Sequence, residues 1–194
     1  MGGILTRLSK QDLEILKRNT NYTEAQIKEW FKTFKKDYPN GKVDKEGFKG
    51  IYERLFAPKW GRDPGKPRFP DGLCNFVFRA ADRDSSGYVS FRELIVAIDT
   101  MYNGKPKEKL EWAFKLCDVS GNGTISELEL ISVIEAIQSV QTKPCDRQKV
   151  IKDAKEIFDK LDKDDNKKVT CHEFLSQCME HPEIYEELFP GEKI

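Results

Sequence analysis

Residues 82–93 read Asp82-Arg83-Asp84-Ser85-Ser86-Gly87-Tyr88-Val89-Ser90-Phe91-Arg92-Glu93. Oxygen-bearing side chains stand at the first, third, fifth and twelfth positions, and a glycine stands at the sixth. Ca²⁺ takes about six to eight oxygen ligands, and a loop with this spacing supplies them, turning sharply at position six and closing with a bidentate glutamate. The segment therefore predicts a calcium-binding loop, which we call the Asp82 loop.

The same spacing occurs twice more, in the Asp118 loop (118–129) and the Asp162 loop (162–173). A single match of this kind is typical of an exposed turn, but three matches in a repeat, each flanked by helical apolar periodicity, indicate metal binding. The predicted ligands, including the position-seven residues, are Asp82, Asp84, Ser86, Tyr88 and Glu93; Asp118, Ser120, Asn122, Thr124 and Glu129; and Asp162, Asp164, Asn166, Lys168 and Glu173.

The three loops differ in charge and in backbone demands. The Asp82 loop carries three carboxylates, whereas the Asp118 loop carries two, which predicts a lower affinity. In the Asp162 loop Lys167 replaces the glycine, so a left-handed backbone would cost on the order of 1 kcal/mol and an ammonium would repel the ion. We expect Ca²⁺ in the first two loops, with Mg²⁺ as a competitor, and leave the occupancy of the third open.

A fourth copy of the repeat, which we call the first loop, spans residues 36–47. It keeps the glycine at position six and the apolar Val43 at position eight, but it begins with Lys36 and ends with Gly47. An ammonium cannot ligate a cation, and Pro39 stiffens the turn. We therefore expect this loop to bind no ion.

The repeat predicts an all-α fold in which four helix-loop-helix units form two paired lobes, with short β contacts between paired loops. Val43 is expected beside Val89 in one pair, and Ile125 beside Val169 in the other. The predicted division is an N-terminal lobe at 1–101, a hinge at 102–106 where Gly104 lets the backbone swivel, and a C-terminal lobe at 107–194 that ends in an extra helix.

Composition excludes several classes of function. The 33 basic and 33 acidic residues cancel, so no field favours nucleic acid. Five cysteines without a C-x-x-C pair indicate neither a disulfide framework nor a zinc site and fit a reducing, cytoplasmic compartment. His172 and His181 are the only histidines, and no nucleophile and base stand in a recognisable pattern, so we expect no enzyme.

The amino terminus predicts a lipid anchor. Met1-Gly2-x-x-x-Thr6 matches the N-myristoylation pattern, with Gly2 as the acylated residue. One acyl chain holds a membrane only weakly, at about 10⁴ M⁻¹, and nearby basic residues supply a second, electrostatic signal. We therefore expect reversible association with membranes.

Several segments resemble the neuronal calcium sensor family, the recoverin, visinin and frequenin-like EF-hand proteins. They are the Met1-Gly2 start, the Asp-x-Pro-x-Gly kernel of the first loop, Leu110–Leu116 and Asp118–Ser126, and Leu8–Thr20 is most similar to the recoverin and visinin branch. The resemblance implies four EF-hands, an empty first loop and a calcium-driven switch.

The resemblance also implies a target groove, and aromatic residues concentrated in the first 60 positions fit either a groove or an ordinary core. We expect filled Asp82 and Asp118 loops to release the acyl group and to open this groove to an amphipathic helix of a kinase, cyclase or channel. The implied groove residues are Tyr22, Trp30, Phe34, Ile51, Tyr52, Leu55, Phe56, Leu94 and Ile98.

Two alternatives remain open. The short spacer Lys143-Pro144-Cys145 resembles the guanylate cyclase activators of the same family. A calcium buffer would bind the ion with little opening of its helices. Dye binding with and without calcium separates a buffer from a sensor.

Overall fold

The computed structural model describes residues 8–56, 71–139 and 146–189, so Gly2 and the spacer 143–145 lie outside the described ranges. None of the described helices is long and apolar enough to cross a membrane. The elements in chain order are α1 (Lys10–Asn19), α2 (Glu24–Asp37), β1 (Lys42–Val43), α3 (Lys45–Phe56), α4 (Asp71–Ala81), β2 (Val89–Ser90), α5 (Phe91–Asn103), α6 (Pro106–Cys117), β3 (Thr124–Ile125), α7 (Glu127–Gln138), α8 (Arg147–Leu161), β4 (Val169–Thr170), α9 (Cys171–Glu180) and α10 (Pro182–Leu188).

Each loop is framed by an entering helix and an exit helix, which confirms the all-α architecture of four helix-loop-helix units. The local signals are those expected of helix ends. Thr23, for example, caps α2 in a capping box in which its side chain and that of Gln26 satisfy each other's backbone N–H. Asp146 caps α8 by accepting from the backbone of Gln148 and Lys149.

The loops pair through two short antiparallel sheets. β1 lies against β2 with Val43 opposite Val89, and β3 lies against β4 with Ile125 opposite Val169. Both predicted pairings are confirmed. All four side chains are fully buried, so the apolar eighth position of each loop anchors it to its partner.

Two hydrophobic clusters form the interior of the described ranges. One is built from α1 to α5 and the other from α6 to α10. Trp112 and Leu116 of α6, however, belong to the first cluster, whereas Leu110 and Phe114 of the same helix belong to the second. Helix α6 is therefore shared between the lobes, although its sequence position alone placed it in the C-terminal lobe.

The connection between α5 and α6 is short and contains Gly104. Its backbone N–H donates to the carbonyl of Thr100 at 3.1 Å and closes the last turn of α5. A Cβ at Gly104 would stand 2.2 Å from that carbonyl oxygen, which is well inside van der Waals contact. The predicted role of this glycine as a hinge stays a prediction, but the close approach explains why no side chain stands there.

Candidate metal centre

Asp82 begins its loop directly after α4 and organises the turn that follows. Its carboxylate accepts the backbone N–H groups of Ser86 at 3.0 Å and Gly87 at 2.8 Å. Gly87 has a φ of +80°, the left-handed conformation that glycine adopts without a steric penalty. The chain thus wraps around the Asp82 side chain, which is 9% exposed.

Glu93, the twelfth residue, closes the loop from the other side. One carboxylate oxygen accepts the backbone N–H of Arg83 at 3.0 Å, and the other accepts the backbone N–H and the hydroxyl of Ser90 at 2.9 and 2.7 Å. Ser90 is the N-cap of α5 and forms a capping box with Glu93. The helix start therefore fixes where this carboxylate points.

Carboxylate oxygens of Asp82, Asp84 and Glu93 lie within 4.8 Å of one another. The hydroxyl of Ser86 donates to the carbonyl of Tyr88 at 3.0 Å, which gathers the fifth and seventh positions together. Hydrogen bonds from Ser86, whose backbone N–H donates to Asp84 at 3.1 Å, lower the pKa of that carboxyl and so favour its charged form. An all-oxygen, negatively charged set of this kind fits Ca²⁺.

The Asp118 loop repeats the arrangement with less charge. Asp118 accepts the N–H groups of Asn122 at 3.0 Å and Gly123 at 2.9 Å, and Glu129 accepts that of Ser120 at 2.7 Å. Burial acts to raise the pKa of Glu129, but hydrogen bonds from Ser126 and Ser120 outweigh it and lower that pKa. Two carboxylates match the charge of one Ca²⁺, and neutral oxygens complete the predicted set.

In the Asp162 loop, carboxylate oxygens of Asp162, Asp164 and Glu173 lie within 4.8 Å of one another. Lys167 has a φ of +65°, as its position predicted. Its ammonium, however, pairs with Asp165, which is the fourth residue of the loop and is not a predicted ligand. The positive charge of Lys167 is therefore paired with a carboxylate outside the predicted ligand set. This pairing weakens the repulsion that the ammonium would exert on a cation in the loop.

The first loop has a different interior. Lys36 is exposed, and the half-buried ring of Tyr38 packs against Phe34 with ring centroids 5.3 Å apart. The Tyr38 hydroxyl reaches across to the carbonyl of Gly47. Among the described residues, the clusters of three acidic groups lie in the Asp82 and Asp162 loops and not here.

The implied groove residues of the N-terminal lobe are mostly covered in this structure. Phe34, Tyr52 and Leu94 are buried, and Tyr22 packs edge-on against Trp30 with ring centroids 4.6 Å apart. Trp30, Tyr22, Ile51 and Ile98 are half-buried, and the side chains of Leu55 and Phe56 lie outside the described residues. The structure thus brings most of these residues into one core cluster rather than an open groove.

Position nine of each of the three acidic loops holds a side chain that the spacing argument did not single out. Its side chain caps the exit helix and at the same time binds the twelfth-position glutamate. A Ser/Thr-x-x-Glu capping box in the sequence is the signal that would have identified it. The pairs are Ser90 with Glu93, Ser126 with Glu129, and Thr170 with Glu173.

Comparisons with known proteins agree with this geometry. Two family models, each described as an EF-hand domain pair, match residues 39–100 and 107–179. Recoverin of Homo sapiens is 34% identical over 183 residues, covering 91% of this chain and 87% of recoverin. Neuronal calcium sensor 1 of Lymnaea stagnalis is 36% identical over 193 residues, covering 97% and 96%. Visinin of Gallus gallus is 32% identical over 183 residues, covering 91% of each chain.

Proposed function

Because the chain belongs to the neuronal calcium sensor family of EF-hand proteins, we propose that it is a calcium-operated regulator rather than an enzyme. Calcium capture would be converted into an exposed apolar groove on the N-terminal lobe. The observation that carries this proposal is the position of Glu93, which closes the Asp82 loop and also stands in the first turn of α5. Helix α5 carries two of the implied groove residues, Leu94 and Ile98.

We propose that all three acidic loops take Ca²⁺, through the fifteen ligands predicted from the spacing. Bound Ca²⁺ supplies the positive charge that offsets the mutual repulsion of the clustered carboxylates. The Asp82 and Asp162 loops each offer three carboxylates, and the Asp118 loop offers two. The charge count supports a higher Ca²⁺ affinity in the Asp82 and Asp162 loops than in the Asp118 loop. Mg²⁺ would compete most in the Asp118 loop, where fewer ligands are charged.

Helix α5 connects the Asp82 loop to the aromatic side chains of α2. Phe91, two residues before Glu93, packs against Phe31 and Phe34 with ring centroids 5.1 and 5.2 Å apart. A reorientation of Glu93 toward an ion therefore acts on the start of α5 and on this aromatic contact. Packed side chains do not deform continuously, so a shift of Phe91 would be taken up by a change in the angle between α2 and α5.

Two contacts connect α5 to helix α1 and to the turn that follows it. The buried Asp99 of α5 accepts the backbone N–H and side-chain amide of Asn21, at 3.3 and 3.2 Å. Arg92 donates to Asp12 of α1 at 3.3 Å. Movement of α5 thus reaches α1, and we propose that this releases a myristoyl group on Gly2 for reversible membrane binding in the cytoplasm.

The opened groove would receive an amphipathic helix of a kinase, cyclase or channel, because apolar side chains at helical spacing complement such a surface. A guanylate cyclase activator is one form of this regulator. A calcium buffer is the alternative from another class, and it would bind the same ions while the groove residues stay covered. The described contacts from Glu93 through Phe91 to α2 favour the regulator.

Calorimetric calcium titration of Glu93→Gln, Glu129→Gln and Glu173→Gln tests the ligand assignment. Each change keeps the shape of the side chain and removes the charge that closes one loop, so each variant should lose one binding site out of three. Glu46→Gln, the same change in the first loop, is the matched control and should retain all three. An unchanged stoichiometry in Glu93→Gln would overturn the assignment.

A further inference from the structure

Arg79 lies on the last turn of α4, three residues before Asp82, and its side chain crosses to the other lobe. The guanidinium donates to the backbone carbonyls of Lys115 at 3.1 Å and Leu116 at 3.0 Å, and also to the carbonyl of Asp118. The last carbonyls of a helix have no partner within the helix. Arg79 therefore caps the C-terminus of α6 from a different unit.

Apolar packing around this cap joins the same two helices. Trp112 and Leu116 of α6 are buried in the cluster of the N-terminal lobe. Phe76, one turn before Arg79 on α4, packs against the clusters of both lobes. The polar cap and the apolar contact together make α4 and α6 one packed unit.

Both helices end at the first ligand of a calcium loop. Helix α4 runs into Asp82 and helix α6 runs into Asp118. The carbonyl that Arg79 binds belongs to Asp118 itself, whose carboxylate organises the next loop through Asn122 and Gly123. The Arg79 side chain thus connects the C-terminal end of α4 to the C-terminal end of α6. Both ends lie within about one helical turn of the first residue of an acidic loop.

The planar fork of arginine is what allows three carbonyls to be bound together. Lysine carries the same charge as a compact ammonium and cannot present that fork. Burial lowers the pKa of Arg79, with Asp118 and Glu129 acting in the opposite direction, and a guanidinium stays charged in proteins. Arg79→Lys therefore keeps the positive charge and removes the planar fork, whereas Arg79→Met removes both.

We propose that Arg79 is the positioning residue that couples the Asp82 and Asp118 loops, so that calcium in one loop changes the calcium affinity of the other. This inference rests on the proposed function, because it requires both loops to bind the ion. A shift of α4 on binding at Asp82 is passed through Arg79 to the backbone of Asp118. By thermodynamic reciprocity, binding at Asp118 affects the Asp82 loop by the same factor.

The coupling is measured by calorimetry in a Glu173→Gln background, which leaves two loops. The affinity of the Asp82 loop is compared with the Asp118 loop intact and with it disabled by Glu129→Gln. With Arg79 present, disabling the second loop should weaken the first by about fivefold or more. In Arg79→Met and in Arg79→Lys the factor should fall to within about twofold of unity. An unchanged factor in Arg79→Met, or full coupling in Arg79→Lys, would overturn the proposal.

A calcium-free readout separates this inference from the proposed function. Hydrogen exchange of the Asp118 amide, which donates to Phe114 at 2.8 Å, reports the closing turn of α6. Loss of the cap in Arg79→Met, which removes every donor, should speed that exchange by about tenfold. The Asp162 amide, which donates to Phe158 at the end of α8, is the internal control and should not change. Equal rates at Asp118 in both proteins would show that no cap exists, whether or not the loops bind calcium.

Discussion

The hydroxyl of Tyr38 donates a hydrogen bond to the backbone carbonyl of Gly47, 3.2 Å away, across the interior of the first loop. These are the third and twelfth positions, which the other loops fill with predicted metal ligands. A Cβ at Gly47 would stand 2.8 Å from a ring carbon of Tyr38 and 3.1 Å from Val43. The first loop is therefore occupied by its own aromatic side chain, and glycine at position twelve leaves room for the ring.

We predict that the effect of Gly47→Ala depends on Tyr38. Gly47 is in the first turn of α3, where alanine gains about 1 kcal/mol from helix propensity. With Tyr38 present, overpacking should outweigh that gain and lower the free energy of unfolding, since such insertions cost about 1–3 kcal/mol. In a Tyr38→Ala background only the contact with Val43 remains, so the same change should cost less. Urea unfolding of the four proteins measures the coupling, and equal effects in both backgrounds would rule out the packing described.

Asp99→Ala should destabilise the protein by about 1–3 kcal/mol, because it removes the hydrogen bonds that Asn21 and Asn103 donate to a buried carboxylate. Asp12→Ala is the contrasting variant, since Asp12 pairs with Arg92 at the surface and such pairs contribute less than about 1 kcal/mol. Urea unfolding checks both. Equal losses would mean that Asp99 does not connect α5 to the amino-terminal helices.

The sequence was sufficient for the repeated parts of the fold. Periodicity located the helices, and the eighth position of each loop gave the strand pairs Val43–Val89 and Ile125–Val169, because a repeated unit buries equivalent positions. The contacts of Arg79 with residues 36 to 39 positions away were not predictable, since a single polar residue on a helix carries no periodic signal. The packing of Trp112 into the first cluster was not predictable either, because it depends on how the two lobes meet.

Gly104→Ala should lower the free energy of unfolding by more than about 1 kcal/mol, because the new Cβ would overlap the Thr100 carbonyl that closes α5. Gly50→Ala is the matched control. A Cβ at Gly50 meets nothing within 4 Å, so this change should stabilise α3 by up to about 1 kcal/mol. Thermal unfolding of the pair is the measurement, and a stabilised Gly104→Ala protein would refute the close contact.

Ser90→Ala should destabilise the calcium-free protein by about 1 kcal/mol, because the N-cap of α5 and one partner of Glu93 are lost together. Ser90→Thr keeps the hydroxyl and should have a smaller effect. Chemical unfolding in chelator measures both. If alanine and threonine were equally tolerated, the capping box would have no part in holding Glu93.

The spacing predicts which residues are candidate ligands, but it does not predict their surroundings. The ammonium of Lys167 was expected to oppose an ion, and the structure pairs it with Asp165, a choice of rotamer that the spacing does not encode. The packing of Tyr38 against Gly47 was likewise missed, although the pairing of a large third residue with a glycine at position twelve was visible. The degree of opening of the groove depends on helix angles, which no residue pattern specifies.

Apolar dye fluorescence with and without micromolar calcium, in the wild-type protein and in Glu93→Gln, tests the central claim most directly. We predict that calcium raises the emission of the wild-type sample as the N-terminal groove opens, and that Glu93→Gln removes most of this rise. An unchanged dye signal in the wild-type protein, with the Asp82 loop shown by calorimetry to be filled, would contradict calcium-driven opening of the groove.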